Sequence, residues 1–200
     1  MQTYQKLPRG SEKDSLTGTI LRSAAALRAN LTITQANQLR DYAKLVAKWQ
    51  AIMNLTAAVS PTRFVSDHIV DCLSVRPFIN GRRLLDIGSG AGLPGLVLAI
   101  AIPNISVCLL ESNGKRARFL TQAQFELELS NVEIINDRLQ RYRPGCPYDT
   151  IIARAFGSLP YLMANIGDLK QTDTRLIVMK GRIDQQEISC LASSSLKVEI

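Results

Sequence analysis

Asp86, Gly88, Gly90 and Gly92 stand at every second position of the chain, and Gly95 follows three residues on. Glycine reaches backbone conformations that other residues avoid, and it lets a ligand come close to bare main chain. A glycine turn that opens a helix also aims free N–H groups at whatever sits before it. Asp86 adds a carboxylate at the mouth of the turn, where it attracts a cation and repels a phosphate. Glu111 is a second carboxylate, near the point roughly 20 residues on where an acidic side chain commonly takes ribose hydroxyls. His68, the one histidine of the chain, stands three residues before Asp71 and shares a helix face with it. That pair either makes a surface hydrogen bond or lines a substrate cleft.

Two readings of the glycines compete. Gly90, Gly92 and Gly95 match G-x-G-x-x-G, the dinucleotide pattern of a nicotinamide-linked oxidoreductase. Asp86, Gly88, Gly90 and Gly92 match D-x-G-x-G-x-G, the pattern of class I S-adenosylmethionine (AdoMet) methyltransferases. Both readings expect Glu111, so it does not decide between them. Asp86 does decide, because it faces a pyrophosphate badly and suits the ammonium or sulfonium of AdoMet.

The elements that must position these residues follow from apolar runs. Leu84, Leu85 and Ile87 read as a short buried strand, and residues 96–101 as a buried helix with Pro94 in its first turn. Further strands are expected over 105–110, 132–135, 148–154, 174–181 and 196–200. Helices between them are expected to run from about 115 through Glu128, from Ser158, and over 183–191. Alternation of strands and helices, with a polar loop over 136–147, predicts a doubly wound, mostly parallel α/β sheet with its ligand at the strand carboxyl ends. Asp86, Glu111, Asp137 and Arg154 all fall at such ends. Ahead of this core, residues 1–18 read as a loose tail and 20–31 as a helix. Thr34 reads as the N-cap of a helix carrying Leu39, Tyr42, Val46 and Trp49 on one face and the basic stripe Arg40, Lys44 and Lys48 on another. Ser60 and Pro61 open a helix that carries Phe64, His68, Asp71, Cys72 and Val75. The expected organisation is an N-terminal tail and helical extension over 1–80 and an AdoMet-binding core over 81–200.

Composition narrows the partners. Among 200 residues the net charge is +7, and residues 1–50 hold eight Lys/Arg against three Asp/Glu. That is a footprint compatible with nucleic acid. The four cysteines form no C-x-x-C, and with a single histidine they argue against a zinc site. No run approaches the roughly 18 apolar residues of a membrane helix, and the N-terminus has no apolar signal core. The expectation is a cytoplasmic protein with reduced thiols, no metal and no membrane contact.

Several further strings recur together: Lys48-Trp49 with Asn54-Leu55-Thr56, His68 with Asp71, Gly-Leu-Pro-Gly after the Asp86 turn, Gly114-Lys115-Arg116 with Arg118-Phe119-Leu120, Arg154-Ala155-Phe156, and Lys180-Gly181. In these the chain resembles the RsmG (GidB) methyltransferases of bacterial small-subunit ribosomal RNA, from about Thr34 to the C-terminus. The resemblance implies a class I AdoMet methyltransferase that methylates N7 of a guanine in the 530 loop of 16S rRNA, free or within the small subunit; the oligomeric state is left open, with a monomer favoured. It places cofactor contacts on Gly88, Leu93, Leu139, Gln140 and Arg154, beside Asp86, Gly90, Gly92 and Glu111 from the glycine motif. The candidates to line the substrate side are Asn54, His68, Asp71, Lys115, Arg116 and Lys180. No residue is assigned as a catalytic base, because guanine N7 already carries a free lone pair. Arg154 is expected on the AdoMet carboxylate or on O6 alone, since arginine bound to O6 and N7 together would cover the nucleophile. Two departures stand out. Gln140 replaces a glutamate common in relatives, and the chain ends at Ile200, before the hairpin that gives relatives a last antiparallel strand. An open sheet edge would follow. These departures support the alternative of a catalytically weak or inactive RNA-binding relative.

Overall fold

The computed structural model describes residues 15–53 and 60–182. Asn54, the helix expected over 183–191 and the strand expected over 196–200 lie outside the described residues.

Five parallel strands form one sheet: β1 (Arg83–Ile87), β2 (Ser106–Leu110), β3 (Val132–Ile135), β4 (Tyr148–Arg154) and β5 (Lys170–Met179), in the order β3-β2-β1-β4-β5. The chain winds outward from β1 to β3, then crosses to the far side of β1 for β4. The winding direction therefore reverses between β1 and β4. Such a switch point opens a crevice at the strand carboxyl ends.

The two faces of β1 separate by alternation. Leu84 joins one core cluster, with residues of the helices α1 (Leu16–Ala26), α2 (Ile33–Met53), α5 (Gly95–Ala101) and α6 (Gly114–Glu126). Leu85 and Ile87 join the other, with Leu162 of α7 (Leu159–Asn165). A strand period of two thus sends Asp86 to the Leu84 side, under α5. Helices α3 (Pro61–Phe64) and α4 (Val70–Ser74) sandwich a single π turn over Val65–Ile69.

The helical extension is fastened to the glycine loop itself. Tyr42 is fully buried and its hydroxyl donates to the Ala91 carbonyl at 2.6 Å. Gln35 Nε2 donates to the Ile100 and Ala101 carbonyls at 2.9 and 3.3 Å, at the C-terminal end of α5. Asn131 Nδ2 ties the Ala99 carbonyl to that of Ile105.

Several sequence expectations are corrected. The N-cap of α2 is Thr32, not Thr34: Thr32 Oγ1 accepts from Gln35 N at 3.2 Å, and Gln35 Oε1 accepts from Thr32 N at 2.8 Å. This is a reciprocal capping box, which needs a Gln or Glu three residues after the cap. Only Thr32 has one. Helix α1 begins at Leu16 inside the expected tail, because Ser15 accepts from Gly18 N at 3.1 Å, and it ends at Ala26, just before the left-handed Arg28. Helix α6 stops at Glu126 because Glu128 takes φ 54°. Strand β5 starts at Lys170, four residues earlier than the apolar run suggests. Of its exposed first half only Lys170 pairs with β4, opposite Tyr148; the register resumes at Arg175 opposite Thr150, across an irregularity. Arg40 and Lys44, which belong to the expected basic stripe, both engage Asp41, at 2.8 and 3.7 Å.

Candidate active site

The turn after β1 needs its glycines for separable reasons. Gly88, Gly90 and Gly92 hold φ of 70°, 60° and 94°, a region that L side chains rarely enter. Gly95 is needed for space instead. A Cβ there would stand 2.2 Å from Leu109 Cδ2 and 2.6 Å from Asp86 Oδ2. This closeness lets Gly95 N donate to Asp86 Oδ2 at 2.8 Å. The third glycine of the apparent dinucleotide pattern is therefore a packing residue between α5 and the sheet.

Asp86 is fully buried, and its Oδ1 has no hydrogen-bond partner. Burial pushes its carboxyl up to about 7, and the neighbouring Glu111 adds to the rise; Gly95 N–H, Ser89 and the Arg154 cation oppose it. A buried carboxylate with one idle oxygen is an unmet demand for a donor or a cation. Glu111, at the end of β2, is 4% exposed. Its Oε2 accepts from Gly90 N at 2.8 Å and its Oε1 from Asn113 N at 2.7 Å. Each oxygen keeps a second lone pair for a ligand hydroxyl.

Beside these carboxylates lies a cleft of about 300 Å³, lined among others by Gly88, Ser112, Leu139, Gln140, Phe156 and Tyr161. Three of the residues expected at the cofactor, Gly88, Leu139 and Gln140, meet there. The Leu93 side chain lies in the core, and Gly92 sits tight against Leu96 and Leu120. Arg154, at the end of β4, turns to the π turn: Nη2 is 3.0 Å from His68 Nδ1, and Nε is 3.4 Å from Asp71 Oδ2. The expected His68–Asp71 pair therefore converges on Arg154 rather than on itself. Burial and the Arg154 cation lower the pKa of His68, and contacts with Asp67 and Asp71 only partly offset them. Lys115 and Arg116 are exposed on the first turn of α6, whose N-terminus is capped by Asn113 Oδ1 at 2.9 and 3.2 Å. Lys180 is exposed just beyond β5.

Phe156 and Tyr161 are among the cleft residues that escaped the sequence reading as site residues. Phe156 follows the left-handed Ala155 (φ 52°) and packs on Gly88, where an added Cβ would stand 2.5 Å from Phe156 Cδ2. Tyr161 stands 6.1 Å from Phe156, and its hydroxyl accepts from Gln140 Nε2. Arg154-Ala155-Phe156 was visible as a string. Nothing in the sequence showed that residues 161 and 140 meet.

The parts fit AdoMet. The cleft by Leu139, whose polar lining includes Ser112, Asp137 and Gln140, suits an adenine, Glu111 a ribose, and the idle oxygen of Asp86 an ammonium. The order of the sheet and the crevice beside the glycine turn define a class I AdoMet methyltransferase fold. A SAM-dependent methyltransferase from Aquifex aeolicus shares it with a TM-score of 0.54, over 69% of this chain and 85% of that one, at 13% identity. Sequence relatives narrow the class. The family model for rRNA small subunit methyltransferase G matches residues 35–199. The ribosomal RNA small subunit methyltransferase G of Pseudomonas syringae pv. tomato is 43% identical over 85% of this chain and 81% of that protein. The one of Nitrosococcus oceani is 42% identical over 90% of this chain and 85% of that protein. The chain belongs to the rRNA small subunit methyltransferase G family.

Proposed function

We propose that this chain transfers a methyl group from AdoMet to N7 of a guanine in the 530 loop of 16S rRNA. Family membership supports the coarser part, AdoMet-dependent methylation of small-subunit rRNA. The observation that carries the site is the idle, buried Oδ1 of Asp86 beneath the glycine turn. When bound, AdoMet supplies the methyl: the N7 lone pair forms the new N–C bond as the S–C bond breaks toward sulfur, and no proton is lost. The chain therefore needs no general base, and its contribution is placement and charge. Asp86 takes the ammonium end, Glu111 the ribose, and Leu139 with Gln140 the adenine side. Lys115 and Arg116 flank the crevice where rRNA phosphates approach.

The test is labelled AdoMet with free 16S rRNA and with small subunits, followed by borohydride–aniline cleavage, which breaks the strand at N7-methylguanine. Incorporation at one guanine of the 530 loop is expected. A folded chain that binds AdoMet yet labels neither substrate would overturn the reading and leave an RNA-binding relative.

A further inference from the structure

N7 methylation sets a recognition problem. The major-groove edge of guanine offers two acceptors, O6 and N7, whereas adenine offers N7 and the N6 amino donor. An enzyme that uses N7 as nucleophile cannot read it with a donor. Discrimination on that edge then falls to position 6, where a donor that meets O6 meets an amino group in adenine. The donor should also be neutral, because N7 methylation leaves the base cationic.

His68 meets both conditions. Arg154 Nη2 lies 3.0 Å from His68 Nδ1. A guanidinium only donates, so Nδ1 must be the acceptor, and the imidazole proton resides on Nε2. A protonated ring would set two donors against each other at Nδ1. Burial and the Arg154 cation lower the pKa of this ring and favour its neutral form, opposed in part by a backbone hydrogen bond with Asp67 and by the Asp67 and Asp71 charges. Asp71 balances the Arg154 charge through Nε at 3.4 Å. The ring is oriented as well as neutral. Phe64 meets it edge to face at 5.2 Å between centroids, and the π turn over Val65–Ile69 swings it toward the end of β4. Single π turns inside α-helices recur at functional sites. The same salt link occupies two Arg154 nitrogens and holds its head on α4 and the π turn, which argues against Arg154 as the bidentate reader of guanine.

We propose that His68, fixed as the Nε2–H tautomer by Arg154 and Asp71, donates to O6 of the target guanine and selects guanine over adenine while leaving N7 free. The inference rests on the methyltransferase reading above and adds the recognition element to it.

The experiment compares single-turnover methylation of small subunits carrying guanosine or 2-aminopurine riboside at the target position. The second base keeps N7 and lacks O6. The wild-type chain should favour guanosine by roughly 5- to 150-fold, the span of one good base contact at 1–3 kcal/mol. His68→Phe should lose most of that preference, with guanosine slowed to near the 2-aminopurine rate. His68→Gln, which keeps a neutral donor at similar reach, should recover part of it. Because the ratio is compared between proteins, the intrinsic difference in N7 reactivity cancels, and a purely structural loss would slow both bases alike. An unchanged guanosine preference in folded His68→Phe overturns the proposal. If that variant does not fold, a guanosine preference in His68→Gln no greater than the difference between the free nucleosides overturns it as well. A wild-type chain inactive on guanosine instead sinks the reaction assignment, which is a separate failure.

Discussion

At the scale of single residues, Asp86 is the most consequential side chain in the site. Its carboxyl is raised from 3.8 to about 7 by burial. A group that binds its proton more tightly folded than unfolded stabilises the fold fully below the unfolded value, near pH 4. That contribution fades as the pH rises to about 7, and above pH 7 the fold carries a buried anion with one idle oxygen. Asp86→Asn keeps an acceptor for Gly95 N–H and removes the charge. The ligand-free variant should therefore melt higher than wild type at pH 8, by an amount on the order of a few kcal/mol, and lose this advantage near pH 4. Its AdoMet affinity should fall at least tenfold, because the ammonium loses its counter-charge. Wild-type binding should weaken as the pH drops below 7 and should release protons, read as a buffer-dependent calorimetric enthalpy. A variant that binds AdoMet as tightly as wild type would remove Asp86 from the site.

At the scale of elements, the glycine turn is held by what packs behind it. Gln35 caps two helices at once. Its Oε1 closes the capping box of α2, and its Nε2 satisfies carbonyls at the end of α5. Gln35→Ala should destabilise the chain by about 1–3 kcal/mol, the sum expected of a missing cap and orphaned carbonyls. The AdoMet dissociation constant of the folded variant should not move, since Gln35 lies at the far end of α5 from the turn. A loss of affinity without loss of stability would contradict this division. The same elements show what was legible in the sequence. Strands β1 to β4 and their parallel direction follow from apolar runs, with helices between β1, β2 and β3 and a polar loop before β4, because burial in a parallel sheet writes apolar strings. The start of β5 was illegible, because its first half, Lys170 to Thr174, is polar and is tied to β4 largely by side chains, Thr174 Oγ1 donating to the Tyr148 carbonyl and Gln171 Nε2 to Asp149 Oδ1. The π turn was illegible too, since its extra residue leaves no mark on side-chain type. Asp86 and Glu111 could be named from spacing. Their partners, the N–H groups of Gly95, Gly90 and Asn113, could not be read before the fold brought them into reach. Arg154 was legible as a strand-end cation, but its commitment to His68 and Asp71 depends on contacts across more than 80 residues of chain.

At the scale of the whole molecule, the +7 charge has to be located before it can mean anything. Some of the described cations are neutralised locally. Arg40 and Lys44 share Asp41, Arg63 meets Asp67, Arg141 meets Asp137, and Arg143 reaches toward Asp168. Lys115, Arg116 and Arg118 are among the cations outside such pairs, and they cluster at one helix start. They are exposed on the first turns of α6, and none of the ion pairs between described residues engages them. Like charges at a helix N-terminus oppose its dipole by a few tenths of a kcal/mol each, a placement that an anionic partner reverses. Helix α6 starts just after Glu111, on the crevice side of the sheet, so phosphates held there would lie beside the cofactor cleft. Rewriting Lys115 and Arg116 as alanine should lower the steepness of log K against log salt for rRNA binding by about 1 for each phosphate that the pair neutralises in the wild-type complex. The variant should bind AdoMet as wild type does and melt no lower, since the substitutions relieve the clash with the dipole. Lys44→Ala, whose charge already serves Asp41, should leave the salt slope nearly unchanged. Equal slopes for all three proteins would mean that RNA meets the molecule on another face.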